Sequence, residues 1–455
     1  MLTHMEIMQN EAEGIYGREA LRDLAEIIEL YEMYEGEGQL LESADGLDYE
    51  PTRKRVNFIK KLIKEEARFL FGQMPEFHFL SSDKSAADKA SEFFKRVLSD
   101  NMFSEKLIKG ARDCFIGKRL AVKLSVVGSE IRVNFVPSLG FIHFACERDF
   151  DKLSSIIFFH GLNDEAKKSE QRIWKQKYFI KDDRCYVDEA IYNGYGEAVE
   201  TIHYNADTGL DFIPAKVIIN DGLSGDLKGE SDVAELIDSQ MAYNKISSDD
   251  IDALRFNMFP QTVAVNASQE SLKDLVIAPA ALIDLQKEIT AGDDEARLYK
   301  LESQFEYDAR IENVLNRVKG DMYELLSVPN VNAGELRGYF QSGKSIKALY
   351  WQLETRAGEK FASWKPFLEW IAKSVVILAA KSGILDEDEV PEDLAVKCEI
   401  VYPLLQDEID EKQSDIAAVN AKVMSRRSYI RKWNPEMSEE DILLEEEAIE
   451  RRGLF

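Results

Sequence analysis

The sequence predicts an α+β protein built to work with neighbours, and three observations carry that prediction. The first 220 residues hold helices followed by a meander of short alternating strands. Two long helices, the first with an intermittent apolar face and the second with Ile311, Leu315, Val318, Met322 and Leu325 on one stripe, then bracket a compact insertion, residues 258–303, as a stalk with a head. The chain is also strongly acidic, with a formal net charge of −27. A helix pair of this kind cannot bury both of its faces alone, so oligomerisation follows from the pattern.

The first helix is written in "REALRDLAEIIELYEMY", where Leu21, Leu24, Ile27, Ile28 and Tyr31 recur at helical spacing. The next, in "TRKRVNFIKKLIKEEARFLFGQMPEF", carries Val56, Ile59, Ile63, Ala67 and Leu70 on one face and ends at Gly72 and Pro75. A further helix pair covers Ala86 to Phe115. The segments "LAVKLSVVG", "EIRVNFVPS", "FIHFACE", "KLSSIIFFHGL", "IWKQKYFIK", "RCYVDEAIYNG" and "VETIHYN" alternate like antiparallel strands joined by Gly, Asn and Asp turns. Together these make one α+β domain over residues 1–220.

"NDGLSGDLKGESD" is a Gly-rich hinge in which Ser231 or Asp232 can cap the following helix. That helix runs to Asn257, about 40 Å at a rise of about 1.5 Å per residue. Its apolar positions, from Val233 to Leu254, are intermittent, and its Ser- and Asp-rich opposite face suggests contact with neighbours or solvent. After the insertion, a second long helix spans Gln304 to Leu326. A third, aromatic-rich helix from Ser345 to Ser382 carries Tyr350, Trp351, Phe361, Trp364, Phe367 and Trp370, read as packing residues. "AVKCEIVYPLL" is a strand, and the charged tail from Gln406 is a helical appendage broken at Pro435.

Composition excludes several functions. Hydrophobic types at 45% give ample core for about two to four domains. The longest apolar run, Val375 to Ala380, falls far short of the roughly 20 residues of a spanning helix, and the acidic N-terminus is no secretory signal, so a soluble, unexported protein is expected. Cys114, Cys146, Cys185 and Cys398 form no CxxC pair, and the five His form no HxxxH spacing, so neither a disulfide framework nor a zinc site is expected. The acidic surface repels phosphate over most of the molecule.

One string looks like chemistry. Gly338 to Ser345, "GYFQSGKS", fits the phosphate-cradling pattern GxxxxGK[ST], in which Lys344 would reach phosphate oxygens and Ser345 a magnesium ion. A phosphate loop needs a buried strand directly before it, whereas "SVPNVNAGELR" is polar and broken by Pro329 and Gly334. No apolar strand ending in a metal-binding Asp follows. The plainer alternative is a Gly-flanked loop that caps a long helix at Ser342 or Ser345.

In colinear order, "VNFIKKLIKEEARFLFGQMPEF", "GESDVAELIDSQMAYNKISSDDIDALRFNMFP", "LLSVPNVNAGELRGYFQSGKSIKALYWQLETRAGEKFASWKPFLEWI" and "SRRSYIRKWNPEMSEEDILLEEEAIERR" resemble the portal proteins of long-tailed (siphovirus-type) bacteriophages and prophages. The likeness spans nearly the whole chain, although Arg427-Ser428 stands where the family has a Thr-type position. It implies a phage portal fold: a wing over residues 1–230 and 327–404, a two-helix stem (231–257 and 304–326), a clip (258–303) and a helical crown (405–455). It further implies a ring, usually of twelve subunits, at one capsid vertex of the virion, assembled in the bacterial host cytoplasm.

Double-stranded DNA would pass through such a ring during packaging and ejection. The large terminase and later the head-completion (adaptor) protein would dock on the clip, and the scaffold and major capsid proteins would be further partners, with no membrane, enzyme activity, cofactor or metal implied. The loop from Pro329 to Gly343 would line the narrowest part of the channel, making Asn330, Asn332, Arg337, Gln341, Lys344 and Lys347 the candidate DNA-channel residues. The cations Arg337, Lys344 and Lys347 would touch DNA or pair with Glu335 or Glu354 across subunits. The rival readings are a P-loop NTPase or packaging motor using Gly338–Ser345, and an acidic helical scaffold protein unrelated to phage.

Overall fold

The computed structural model describes residues 17–41, 49–147, 149–163, 167–258, 262–273, 286–287, 295–300, 308–331, 347–386, 390–403, 408–434 and 437–452. Helix α1 (Gly17–Glu35) buries Leu24, Ile27, Leu30, Met33 and Tyr34. Helix α2 (Phe58–Phe71) starts at Asn57, whose side chain accepts the Lys60 N–H, and buries Ile59, Leu62, Ile63, Ala67 and Leu70 at three- and four-residue intervals. Strand β1 (Glu76–Leu80) follows. Helix α3 (Lys84–Asp100) is capped by Asp83, which accepts from Ser85 and Ala86, and helix α4 (Phe103–Gly117) completes the pair expected from the sequence.

The predicted meander is present. Strands β2 (Arg119–Val127) and β3 (Glu130–Pro137) form a hairpin. Strands β4 (Phe141–Cys146), β5 (Asp149–Gly161), β6 (Ile173–Lys181), β7 (Arg184–Tyr192) and β8 (Ala198–Asp207) form an antiparallel five-stranded sheet in sequence order. Strand β9 (Ala215–Ile219) returns to pair with β2, giving a three-stranded sheet β3-β2-β9.

Helix α5 (Ile237–Met258), preceded by a 3₁₀ turn at Ala234–Leu236, leaves this body. Strand β10 (Thr262–Val265), the short helix α6 (Gln269–Lys273) and strand β11 (Arg297–Lys300) belong to the insertion, where β10 and β11 pair. Helix α7 (Asp308–Leu325) runs back to the body. Burial falls off away from the body along both long helices: Leu236, Met322, Tyr323 and Leu326 are buried, whereas Leu254, Phe256 and Met258 are exposed.

The longest helix, α8 (Trp351–Lys381), runs through the core and continues past Pro366. Trp364, Phe367, Leu368, Ile371, Val375 and Val376 are buried along it, and Trp364 meets Phe71 of α2 edge-on at 4.9 Å. The aromatic positions therefore serve packing, as expected, with one difference: Trp351, at the helix start, is 64% exposed. Strand β12 (Ala395–Glu399) pairs antiparallel with β1, joining the C-terminal part of the body to its beginning. Helices α9 (Glu408–Asn420), α10 (Arg426–Trp433) and α11 (Glu439–Arg452) form the tail.

One expectation is corrected. The polar face of α5 does not look to solvent or neighbours: Gln240, Asn244, Ser247, Ser248 and Asp252 are buried, and an extended segment, residues 51–57, lies along them. Backbone N–H groups of Thr52, Lys54, Val56 and Phe58 donate in turn to Asp252 (2.9 Å), Ser248 Oγ (2.9 Å), Asn244 Oδ1 (3.1 Å) and Gln240 Oε1 (2.8 Å). Gln240 Nε2 donates back to the Val56 carbonyl at 2.7 Å. Two residues of extended chain span about 6.6 Å and four residues of helix about 6.0 Å, so alternate strap residues meet every fourth helix residue. The helix is polar on this face because it replaces a neighbouring strand as the hydrogen-bond partner of the strap.

Candidate functional site at the root of the helix hairpin

The hairpin of α5 and α7 is fixed to the body by charge buried in the core. Glu66, on the apolar face of α2, is 1% exposed. Arg356 and Lys360 sit one turn apart on α8, and Asp232 ends the Gly-rich hinge before α5. Arg356 donates from Nε to Glu66 at 2.8 Å and from Nη2 to Asp232 at 2.7 Å. Lys360 Nζ reaches Asp232 Oδ2 at 2.8 Å and Asn220 Oδ1 at 2.9 Å, and lies 4.4 Å from the centre of the Phe115 ring.

The hinge is held on its other side by Ser231, whose hydroxyl donates to the Ile116 carbonyl at 2.7 Å, and by the Asp232 N–H to the Phe115 carbonyl at 3.0 Å. Gly229 makes this approach possible. Its φ is +76°, and a Cβ there would come within 2.5 Å of the Lys118 carbonyl.

Glu66, Asp232 and the half-exposed Asp221, 3.3 Å from Lys360, face two cations here, so each buried charge has a partner, which the cost of burial requires. Burial, followed by the Asp232 carboxylate, pushes the Glu66 carboxyl up to about 7 against the pull of Lys360 and Arg356. One Glu66 oxygen, Oε2, is buried without a hydrogen-bond partner among the described residues. At Lys360 burial favours the neutral amine, but Glu66 and Asp232 outweigh it and hold the ammonium charged, its pKa raised. Sequence reasoning missed this cluster. The available signal was a glutamate within the Ile59–Leu70 apolar stripe and a lysine within the buried stripe of α8.

The segment between α7 and α8 leaves from this root and returns to it. After α7 the Ser327 residue takes φ +56°, the Val328 N–H donates to the Tyr323 carbonyl at 2.9 Å, and Leu326 and Val328 are buried. At the returning end Tyr350 stacks on Phe69 of α2, ring centres 6.0 Å apart, and Leu353 is buried. Lys61 of α2 donates to the Tyr323 hydroxyl at 2.7 Å.

Of the candidate channel residues, Asn330 and Lys347 are exposed. Asn332, Arg337, Gln341 and Lys344 lie outside the described residues, as does the Gly338–Ser345 string. The described residues leading toward that string, 326–331, form a turn and irregular chain. Among the described residues no helix is long and apolar enough to cross a membrane, and no group of three or more His, Cys, Asp or Glu could hold a metal ion.

These elements define a mixed body carrying a helix hairpin that departs from, and returns to, one charged root: the architecture of a phage portal subunit. Residues 15–452 match the family model "Phage portal protein, SPP1 Gp6-like", and the chain belongs to that family. Among solved structures, it is similar to a chain of the "Neck of native GTA particle computed with C12 symmetry", at 9% identity and a TM-score of 0.45, over 82% of this chain and 88% of that one. It is also similar to a chain of the "Neck of empty GTA particle computed with C6 symmetry", at 8% identity and a TM-score of 0.46, over 80% and 85%. No curated protein matches by sequence.

Proposed function

We propose that this portal subunit acts without catalysis, as one of about twelve copies in a closed ring at a capsid vertex. DNA enters through the ring during packaging and leaves through it at ejection. In this assignment residues 1–230 and 327–404 are the wing, 231–257 and 304–326 the stem, 258–303 the clip and 405–455 the crown. The clip docks the large terminase and then the head-completion protein, while scaffold and major capsid proteins surround the body.

The observation that carries this reading is the clamping of both ends of segment 327–346. Tyr323, Leu326 and Val328 hold one end, and Tyr350, Leu353 and Arg356 the other, against one core. A segment anchored at both ends on one core suits a channel constriction, with Asn330, Asn332, Arg337, Gln341, Lys344 and Lys347 as its contacts. Sparse cations in an acidic wall give DNA few transient contacts, since each phosphate neutralised adds salt-dependent affinity that would slow sliding.

Imaging of the purified chain by negative stain tests the reading. Perforated rings are expected, and a monodisperse monomer at every concentration and salt condition would count against it. An ATPase assay separates the motor alternative: turnover abolished by Lys344→Ala would replace the channel reading with an NTPase.

A further inference from the structure

Two sheets of the body treat their edges differently. At β3, which ends the three-stranded sheet, Asn101 Oδ1 accepts the Val133 N–H at 2.9 Å and Asn101 Nδ2 donates to the Ile131 carbonyl at 2.8 Å. Lys106 Nζ adds a bond to the Val133 carbonyl at 2.7 Å, so side chains close that edge. Strand β8 ends the five-stranded sheet, and nine of its ten residues are exposed. Among the described residues, the main chain of residues 198–204 bonds to nothing but β7. Alternate N–H and C=O groups are therefore left facing outward over about 23 Å. The register with β7 shifts along the pair, and Asn205, at φ +47°, ends the open stretch. Lys and Pro, which commonly blunt such an edge, are absent from β8, whereas Val199, Ile202 and Tyr204 are 49%, 43% and 83% exposed.

We infer that β8 docks an extended, basic segment of a partner protein, which adds a strand to this sheet. A row of outward main-chain donors and acceptors is matched by another strand, and the exposed apolar side chains would flank it. Charge selects which strand. Between residues 184 and 207 stand Asp188, Glu189, Glu197, Glu200 and Asp207, against one cation, Arg184, which pairs with Asp207 at 2.9 Å. None of the other four acids makes an ion pair among the described residues, and Glu197 and Glu200 are exposed. Lys175 and Lys177 belong to β6, two strands inside the edge, and Lys168 stands at the turn, its carbonyl accepting the Gly194 N–H at 2.7 Å. Along residues 198–204 the one charge is Glu200. A second β8 is a poor occupant, because self-pairing sets these acids against their own copies and closes on a two-fold axis, not a ring. The inference stands apart from the ring reading, since the edge belongs to a single subunit.

The test uses the full chain and a labelled peptide of alternating Lys and Val, long enough to match residues 198–204. Fluorescence anisotropy is expected to show binding that weakens as salt rises. Hydrogen exchange at residues 198–204 is expected to slow at least tenfold on binding, while residues 131–133, whose edge is closed, are unchanged. A peptide methylated on the amides of one edge, and one alternating Glu and Val, are expected not to bind. Glu200→Lys is expected to weaken binding of the Lys–Val peptide about fivefold with an unchanged circular dichroism spectrum. Equal binding of the methylated peptide overturns strand addition, and equal binding of the Glu–Val peptide or of the Glu200→Lys chain overturns the choice of a basic occupant. Exchange at residues 198–204 that is already slow in the assembled chain alone, and fast in its monomer, also overturns the inference and assigns the edge to a second copy.

Discussion

Asp252 accepts both the backbone N–H and the hydroxyl of Thr52, at 2.9 and 2.5 Å, although 200 residues separate the two. Burial raises the Asp252 carboxyl, but these bonds and Arg255 outweigh it and hold it below its ordinary range. Removing the carboxylate leaves a half-buried N–H without its acceptor at the far end of the strap. Asp252→Ala is expected to cost about 1–3 kcal/mol. Hydrogen exchange should show faster exchange at Thr52 and Lys54 with α3 unchanged. Equal protection of the strap in both proteins would mean that the ladder contributes little.

The root cluster predicts a larger effect. Removing one partner of a buried ion pair strands the other charge, so Lys360→Ala is expected to destabilise the fold by about 3–5 kcal/mol. Asp232→Asn made in the same chain should cost much less than the sum of the single changes, because the stranded charge is then gone. Thermal melts of the single and double variants measure this, and strict additivity would show that the two residues act independently.

Glu66 sets a pH dependence of stability. Its folded value of about 7 lies above the ordinary 4.5, so between those values the unfolded chain has released a proton that the folded protein keeps. Its contribution is full below about 4.5 and is lost as pH rises through about 7. Glu66→Gln removes that slope, and the melting temperature of the variant relative to wild type is expected to climb between pH 5 and pH 7.5. A constant difference across that range would refute the assignment.

If the ring conducts DNA past segment 327–346, the cations there should read out as salt dependence. Arg337→Ala, Lys344→Ala and Lys347→Ala are each expected to lower by about one the slope of log affinity against log salt for duplex binding by intact rings. Rings whose slope is unchanged by all three would place these cations in pairs with Glu335 or Glu354.

Much of the body was legible in the sequence because its signals are local. The stripe of α2 and the alternation of β2 to β8 arise within single segments, where burial of one face writes its own period. Boundaries were less so: the first long helix begins regularly at Ile237, after a 3₁₀ turn, and the aromatic helix at Trp351. What escaped was non-local. Strand β1 was not foreseen, since the short segment Glu76–Leu80 is completed only by β12. The root cluster joins charges 124 to 290 residues apart, and no periodicity links them. The polar face of α5 was assigned to solvent or neighbours because its actual partner is a main chain, which carries no residue-type signature. Two of the six channel candidates, Asn330 and Lys347, are exposed, Lys347 in a helical turn; the others lie outside the described residues.

The strap has a consequence for how the chain comes to be folded. Its hydrogen bonds to α5 close loops of 182 to 200 residues, and such closures are slow because chain entropy must be lost before the bonds form. During synthesis the strap emerges long before its helix, with its N–H groups hydrated and its cations unmatched. The N-terminal helices and the meander can meanwhile gather their core through nearby contacts, and α5, when it arrives, finds a template already in place. The hairpin would then be among the last parts of the monomer to settle, after the body that anchors it has folded.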